Sequence, residues 1–283
     1  MAGAAFLFGS TFVVVKDAVA HAQPVPFLAV RFLIAGAVMG VVARGGPTDP
    51  GVVRAGAACG VTLLAGYVLQ TVGLQRTSAT TSAFITYLLV VIVPVLSAGV
   101  LRRPPSAPTV AGIAVAVVGL VLLTDTGFRL RAGELETLLC AFAFAVHIVQ
   151  LGVYAPRHDW RKLTAVQLTV VGIGCLVPGF ATGGYGFPAS AWLSAAYTGV
   201  AASAVAFALM TWAQRRVDPS RAGLLLMLEP VFAALLAIST GERFGARAAA
   251  GAGVILIGVA VSELGGARRT RRLETAGRQR QSH

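Results

Sequence analysis

Apolar residues in this chain do not alternate with polar ones; they run together. Ten stretches of roughly 20 residues are almost wholly apolar, each separated from the next by a short cluster of Arg, Gly and Pro. A helix rises about 1.5 Å per residue, so about 20 residues cross a hydrocarbon core of about 30 Å. Where lipid offers backbone groups no partner, a helix satisfies them internally. The pattern therefore predicts membrane-spanning helices over 2–20, 25–43, 53–74, 79–101, 108–125, 134–155, 163–182, 189–214, 219–240 and 246–264. The first stretch lacks the basic start and small-residue cleavage site of a signal peptide and reads as a retained helix. Nothing is left over for a soluble domain, and the predicted fold class is an all-α integral membrane protein of ten helices.

Composition agrees with this picture. Hydrophobic residues make up 56% of the 283 and charged residues 12%, with a mean hydropathy of +0.78, against about 25% charged in an ordinary soluble domain. The net charge of +12 raises the question of nucleic acid, since basic patches attract phosphate. The placement of the charge answers it. With the N-terminus inside, sixteen of the 23 basic residues fall in the inner loops and tail, six fall on the outer side, and Arg31 stays within a helix. That asymmetry follows the positive-inside rule and puts both termini in the cytoplasm, in a multi-pass protein of the cytoplasmic membrane. The bilayer is the expected partner, nucleic acid is not, and residues 265–283 form a basic cytoplasmic tail beside an anionic leaflet. Cys59, Cys140 and Cys175 all fall in apolar stretches without paired spacing, so neither a disulfide nor a metal site is expected.

The chain also repeats itself. "AGIAVAVVGLVLL" at 111–123 and "AGAGVILIGVAVS" at 250–262 share their hydropathy, with Gly112 and Gly119 recurring as Gly251 and Gly258. Upstream of each lies a helix with an internal proline, Pro94 and Pro230. Two units of five helices follow, 1–125 and 133–264, and because five is odd the second starts from the opposite face. Loop chemistry agrees, with "LRRPP" after the fourth helix and "TGERF" after the ninth. Inverted repeats place a substrate site near the midplane, where the halves meet and rock to give alternating access.

Three sets of residues in order along the chain resemble a known family. Phe8-Gly9-Ser10-Thr11-Phe12 with Lys16, then Pro26-Phe27-Leu28-Ala29-Val30-Arg31-Phe32, then Leu228-Glu229-Pro230-Val231-Phe232 with Gly241-Glu242-Arg243 look like the EamA-type transporters of the drug/metabolite transporter superfamily. Phe8 stands where that family commonly has Trp. The resemblance covers residues 1–264 and implies a ten-helix transporter with a central cavity, moving small metabolites such as amino acids, often outward.

Candidate site residues follow from the cost of polarity in lipid. Of eleven acidic residues only Glu229 sits in mid-helix, where an unpaired carboxylate costs about 2.5 to 3.5 kcal/mol on the lenient insertion scale. Pro230 follows it, removing a backbone hydrogen bond and bending the axis. Glu229 serves either a substrate amine or a coupling proton, or it locks the bundle through a bond to a neighbouring helix. Arg31 and Lys16 lie at comparable depth near the outer side, where they either ring a vestibule and meet a substrate carboxylate or reach out to lipid phosphates. The helical spacing collects four further faces as cavity walls: Tyr67 and Gln70 on the third helix; Thr80, Phe84 and Tyr87 on the fourth; Cys140, Phe144, His147, Gln150 and Tyr154 on the sixth; Ser203, Phe207, Met210 and Gln214 on the eighth. Such groups suit a neutral or zwitterionic solute, and they equally suit hydrogen bonds between helices. The pairs Gly36/Gly40 and Gly56/Gly60 read as close-packing surfaces.

These readings converge on a secondary transporter of a small organic metabolite, an amino acid or related compound or an amphipathic drug-like solute, directed outward by the resemblance. A passive channel is the alternative. The chain has no zinc-binding HExxH, no phosphate-binding GxxxxGK[ST] and no second intramembrane carboxylate to partner Glu229, so an enzyme and any metal, nucleotide or organic cofactor are not expected. A homo-oligomer has no sequence signature here.

Overall fold

The computed structural model describes residues 1–10, 14–15, 18, 22–74, 76, 79–102, 104–124, 132–239 and 245–281. Each of the ten apolar stretches is helical there, and the second to ninth agree with the sequence boundaries to within three residues at both ends. The first helix is described over Ala2–Ser10, and the second, third, fifth, sixth and seventh run unbroken as Pro24–Val42, Pro50–Leu74, Ala107–Thr124, Ala132–Tyr154 and Trp160–Ala181. The tenth does not end where its apolar stretch ends. It continues as one helix, Ala246–Gln281, into the basic segment.

Prolines and carboxylates set the helix starts. Pro24 opens the second helix from its first turn, where a missing N–H leaves no gap in the ladder. Asp159 and Asp218 cap the seventh and ninth, their side chains accepting from Arg161 N and Arg221 N. The second and seventh helices end in matching turns on opposite faces: Gly45 and Gly46 have φ of 111° and 67°, Gly183 and Gly184 of 130° and 73°, values that glycine adopts without strain.

Three spans are interrupted, and the interruptions matter for the site. The fourth is Ala79–Tyr87 and Leu89–Leu101, broken at Leu88, and the ninth is Pro219–Leu226 and Leu228–Ser239, broken at Met227. Neither break falls on its proline. Both lie on the N-terminal side of their prolines, Met227 within the turn that the ring of Pro230 displaces and Leu88 about half a turn beyond the reach of Pro94. The eighth runs Ala189–Thr198, a π-helical segment Gly199–Val205, then Ala206–Ala213.

The two halves pack on each other as inverted copies. The second span packs on the seventh and the fifth on the tenth. The third lies against the sixth and seventh, as the eighth lies against the first and second, and the fourth meets the sixth as the ninth meets the first. The contacts themselves repeat. A Cβ on Gly36 would lie 2.5 Å from Thr169 Oγ1, and one on Gly172 would lie 2.8 Å from Leu33 N, which are the same two repeat positions exchanged. Likewise a Cβ on Gly112 would meet Gly258 O at 2.5 Å, one on Gly258 would meet Gly112 O at 2.6 Å, and one on Gly119 would meet Gly251 O at 2.7 Å. The glycines that revealed the repeat are the glycines that join it. Gly56 and Gly60 receive Val166 and Val170 of the seventh helix in the same way, whereas Gly40 faces open space.

Candidate functional site

The halves enclose a cavity of about 780 Å³. Its mouth lies on the face away from the chain ends, between the start of the second helix at Gln23 and Pro24 and the loop carrying Gly183, Gly184, Gly186 and Phe187. Its floor lies deep in the bundle, at Leu89, His147, Ile148, Met210, Leu226 and Glu229. A second cavity of about 670 Å³ opens on the opposite face, lined by Ser97, Gly152, Gln214, Ser220 and the arginines Arg157, Arg215 and Arg216. One helical turn on the sixth and eighth spans, from Ile148 to Gly152 and from Met210 to Gln214, separates the two.

Arg31 reaches this cavity from the second helix. It is 5% exposed, and its Nε donates to Ser203 Oγ at 2.7 Å. The guanidinium lies 5.4 Å from the Phe32 ring centre and 5.8 Å from that of Tyr67, within range of a cation–π attraction. Ser203 can make this bond because the π-helical segment carries it. At its start, Gly199 comes so close to the second helix that a Cβ there would lie 2.8 Å from Arg31 O.

Glu229 enters from the ninth span, in the first turn after its break. Its carboxylate lies within electrostatic reach of both Tyr87 and Arg31. Tyr87 is the last residue before the break of the fourth span, so this approach brings one interrupted helix to the other. Negative charge at a helix N-terminus is favoured by the helix dipole.

His147 completes the floor. Its Nε2 lies 2.7 Å from Gln167 Oε1, and Gln167 Nε2 in turn donates to Thr211 Oγ1 at 3.1 Å. Above it is an aromatic cluster: Phe207 lies 5.1 Å from Phe8 and 6.0 Å from His147, and Tyr67 lies 4.8 Å from Phe32 and 5.3 Å from Phe144, centre to centre.

The remaining candidates divide. Tyr67, Gln70, Tyr87, Phe144, His147, Phe207 and Met210 line the cavity, with Gln70 Nε2 donating to Thr86 Oγ1 at 3.5 Å. Ser203 stands behind Arg31 rather than in the wall, and Cys140 is fully buried outside the lining. Gln150 accepts from Thr62 Oγ1 at 2.7 Å, a bond between helices, and Tyr154 packs near His158. Phe84 joins an apolar cluster with the fifth and tenth helices, and the fourth helix turns Ser82, Ala83 and Thr86 to the cavity instead. Gln214 borders the second cavity, donating from Nε2 to Ile148 O at 2.8 Å. Pro230 is absent from the lining among the described residues, Lys16 lies outside them, and Thr80 is placed by its backbone alone.

Gln167 was not among the sequence candidates. It is fully buried, but an uncharged amide costs far less to bury than a charge, so it stands out less in the sequence than Arg31 or Glu229. The repeat could have found it: Gln167 precedes Gly172 by the same five residues that separate Arg31 from Gly36.

Comparison with known proteins supplies the family. The model of the EamA-like transporter family matches twice, over residues 1–125 and 131–264. The chain belongs to the EamA-like transporter family. An uncharacterized transporter of Archaeoglobus fulgidus is 31% identical over 237 residues, 83% of this chain and 75% of the relative. A second from the same organism is 25% identical over 190 residues, 67% of this chain and 68% of that one. A solved crystal structure with 22% identity superposes with a TM-score of 0.80 over 93% of this chain and 96% of its own, a likeness of fold. This EamA-like protein is thus a multi-pass membrane transporter whose two halves enclose the cavity.

Proposed function

We propose that this transporter carries a small organic zwitterion, an amino acid or a compound of similar size and charge, by alternating access across the cytoplasmic membrane. The observation that carries the reading is the presence of Arg31 and Glu229 along one blind-ended cavity. Charges inside a membrane are retained where they meet a partner or water. A guanidinium suits a carboxylate, a carboxylate suits an ammonium group, and the rings of Phe144 and Phe207 offer a surface to an apolar side chain. The turn of helix that closes the cavity at its floor favours a carrier over a continuous pore. The arginine-rich face holding the chain ends reads as cytoplasmic by the positive-inside rule, and export is the direction that family analogy favours. Glu229 is the group through which a proton would couple.

Reconstitution into proteoliposomes tests this. Labelled amino acids should enter saturably, and unlabelled substrate on the far side should accelerate their movement. A pH gradient should drive the wild type, and Glu229→Gln should abolish the gradient's effect while retaining exchange. Flux that neither saturates nor responds to substrate across the membrane would instead describe a channel.

A further inference from the structure

The floor of the cavity carries a polar pair whose chemistry is set by a residue that never touches the cavity. Gln167 Oε1 lies 2.7 Å from His147 Nε2, while Gln167 Nε2 lies 3.1 Å from Thr211 Oγ1. Both separations suit an N–H donating to an oxygen. Turning the amide over would place two nitrogens 2.7 Å apart, short for that pair, and would leave the threonine hydroxyl at a distance long for an O–H donor. Thr211 thereby fixes the amide, and the amide oxygen requires a proton on His147 Nε2. In a neutral imidazole the proton on one nitrogen leaves the other as an acceptor. Among the described residues no hydrogen bond is made to His147 Nδ1, and His147 is one of the residues that line the cavity.

We propose that Gln167 is a positioning residue that holds His147 as a hydrogen-bond acceptor at the cavity floor, so that the transporter selects solutes with a donor, a hydroxyl or an amine, at that point. The proposal rests on the zwitterion reading for the rest of the solute. Arg31 meets the carboxylate, Glu229 the ammonium group, and His147 Nδ1 takes a third contact from the side chain. A site built around a buried acceptor discriminates against an analogue that leaves it unpaired. L-homoserine and L-2-aminobutyrate differ by one such hydroxyl.

Two measurements decide it. The first is the ¹⁵N spectrum of histidine-labelled protein in lipid nanodiscs, with His21, His158 and His283 replaced. It should show a protonated Nε2 and a bare Nδ1 in the wild type, a mixture of forms in Gln167→Leu, and a protonated Nε2 again in Gln167→Glu, which restores an acceptor. The second is the homoserine to 2-aminobutyrate ratio of kcat/KM in proteoliposomes. It should favour homoserine roughly five- to tenfold in the wild type and fall toward unity in Gln167→Leu. A protonated Nδ1 in the wild type, or a Gln167→Leu spectrum identical to it, overturns the proposal. So does a specificity ratio that Gln167→Leu leaves unchanged. Transport of neither compound would count against the amino acid reading, and the nitrogen spectrum would still decide what Gln167 does to His147.

Discussion

Arg31 shows how one side chain serves both the bundle and the site. Its Nε is bound to Ser203, and among the described residues its terminal nitrogens make no hydrogen bond while the side chain lines the cavity. The bond has a charged donor, a class that contributes about 1.5 to 3 kcal/mol. Ser203→Ala should therefore raise the KM for a carboxylate solute roughly tenfold or more with little change in kcat, because aim is lost and charge is kept. Arg31→Lys should do worse than Ser203→Ala, since an ammonium group cannot hold a serine on one side and a carboxylate on the other in a fixed fork. Both effects are read from initial rates in proteoliposomes. Equal activity of wild type and Arg31→Lys would mean that only the charge counts.

At the scale of elements, small residues decide how near two helices come. Membrane helices associate through packing rather than hydrophobic exclusion, so one methyl group at a crossing point is felt. Gly36→Ala would bring a Cβ to 2.5 Å from Thr169 Oγ1 and 3.1 Å from its Cα, whereas Gly40→Ala meets nothing within 4 Å. The first should destabilise by about 1 to 3 kcal/mol, and the second should be neutral or slightly stabilising. Thermal unfolding in detergent distinguishes them, and equal midpoints would sink the argument. The pair also shows what was legible beforehand. Glycine spacing announced the repeat and apolar length announced the spans, because both are periodic properties. The π-helical segment left no such mark, since "GVAASAV" contains neither proline nor charge and its register depends on Arg31 across the interface. The breaks at Leu88 and Met227 sit upstream of the prolines that announce them, so the sequence located the bent spans better than the bends. Arg31 and Glu229 stood out because a membrane makes charge expensive. Gln214 and Gln150 were readable as polar, but which neighbour each would meet is a tertiary fact.

For the whole molecule, one cavity is open to one face while a layer of side chains closes it from the other. With the three native cysteines replaced, a membrane-impermeant thiol reagent applied from outside should label Thr71→Cys in the open cavity and leave Ser106→Cys in the second cavity unlabelled; sealed inverted vesicles should reverse the result. Labelling of both from one side would contradict the closed floor. The approach of Tyr87 to Glu229 gives this arrangement a further property. It brings together the two interrupted helices, one from each half, at the places where each is free to bend. Any solute that takes a hydrogen bond or a charge from Glu229 competes with Tyr87 for the same carboxylate. On the proposed reading of Glu229 as a solute contact, an empty carrier and a loaded one would differ at the shared joint itself, and the solute would be not only cargo but also the key that releases the hinge on both sides at once.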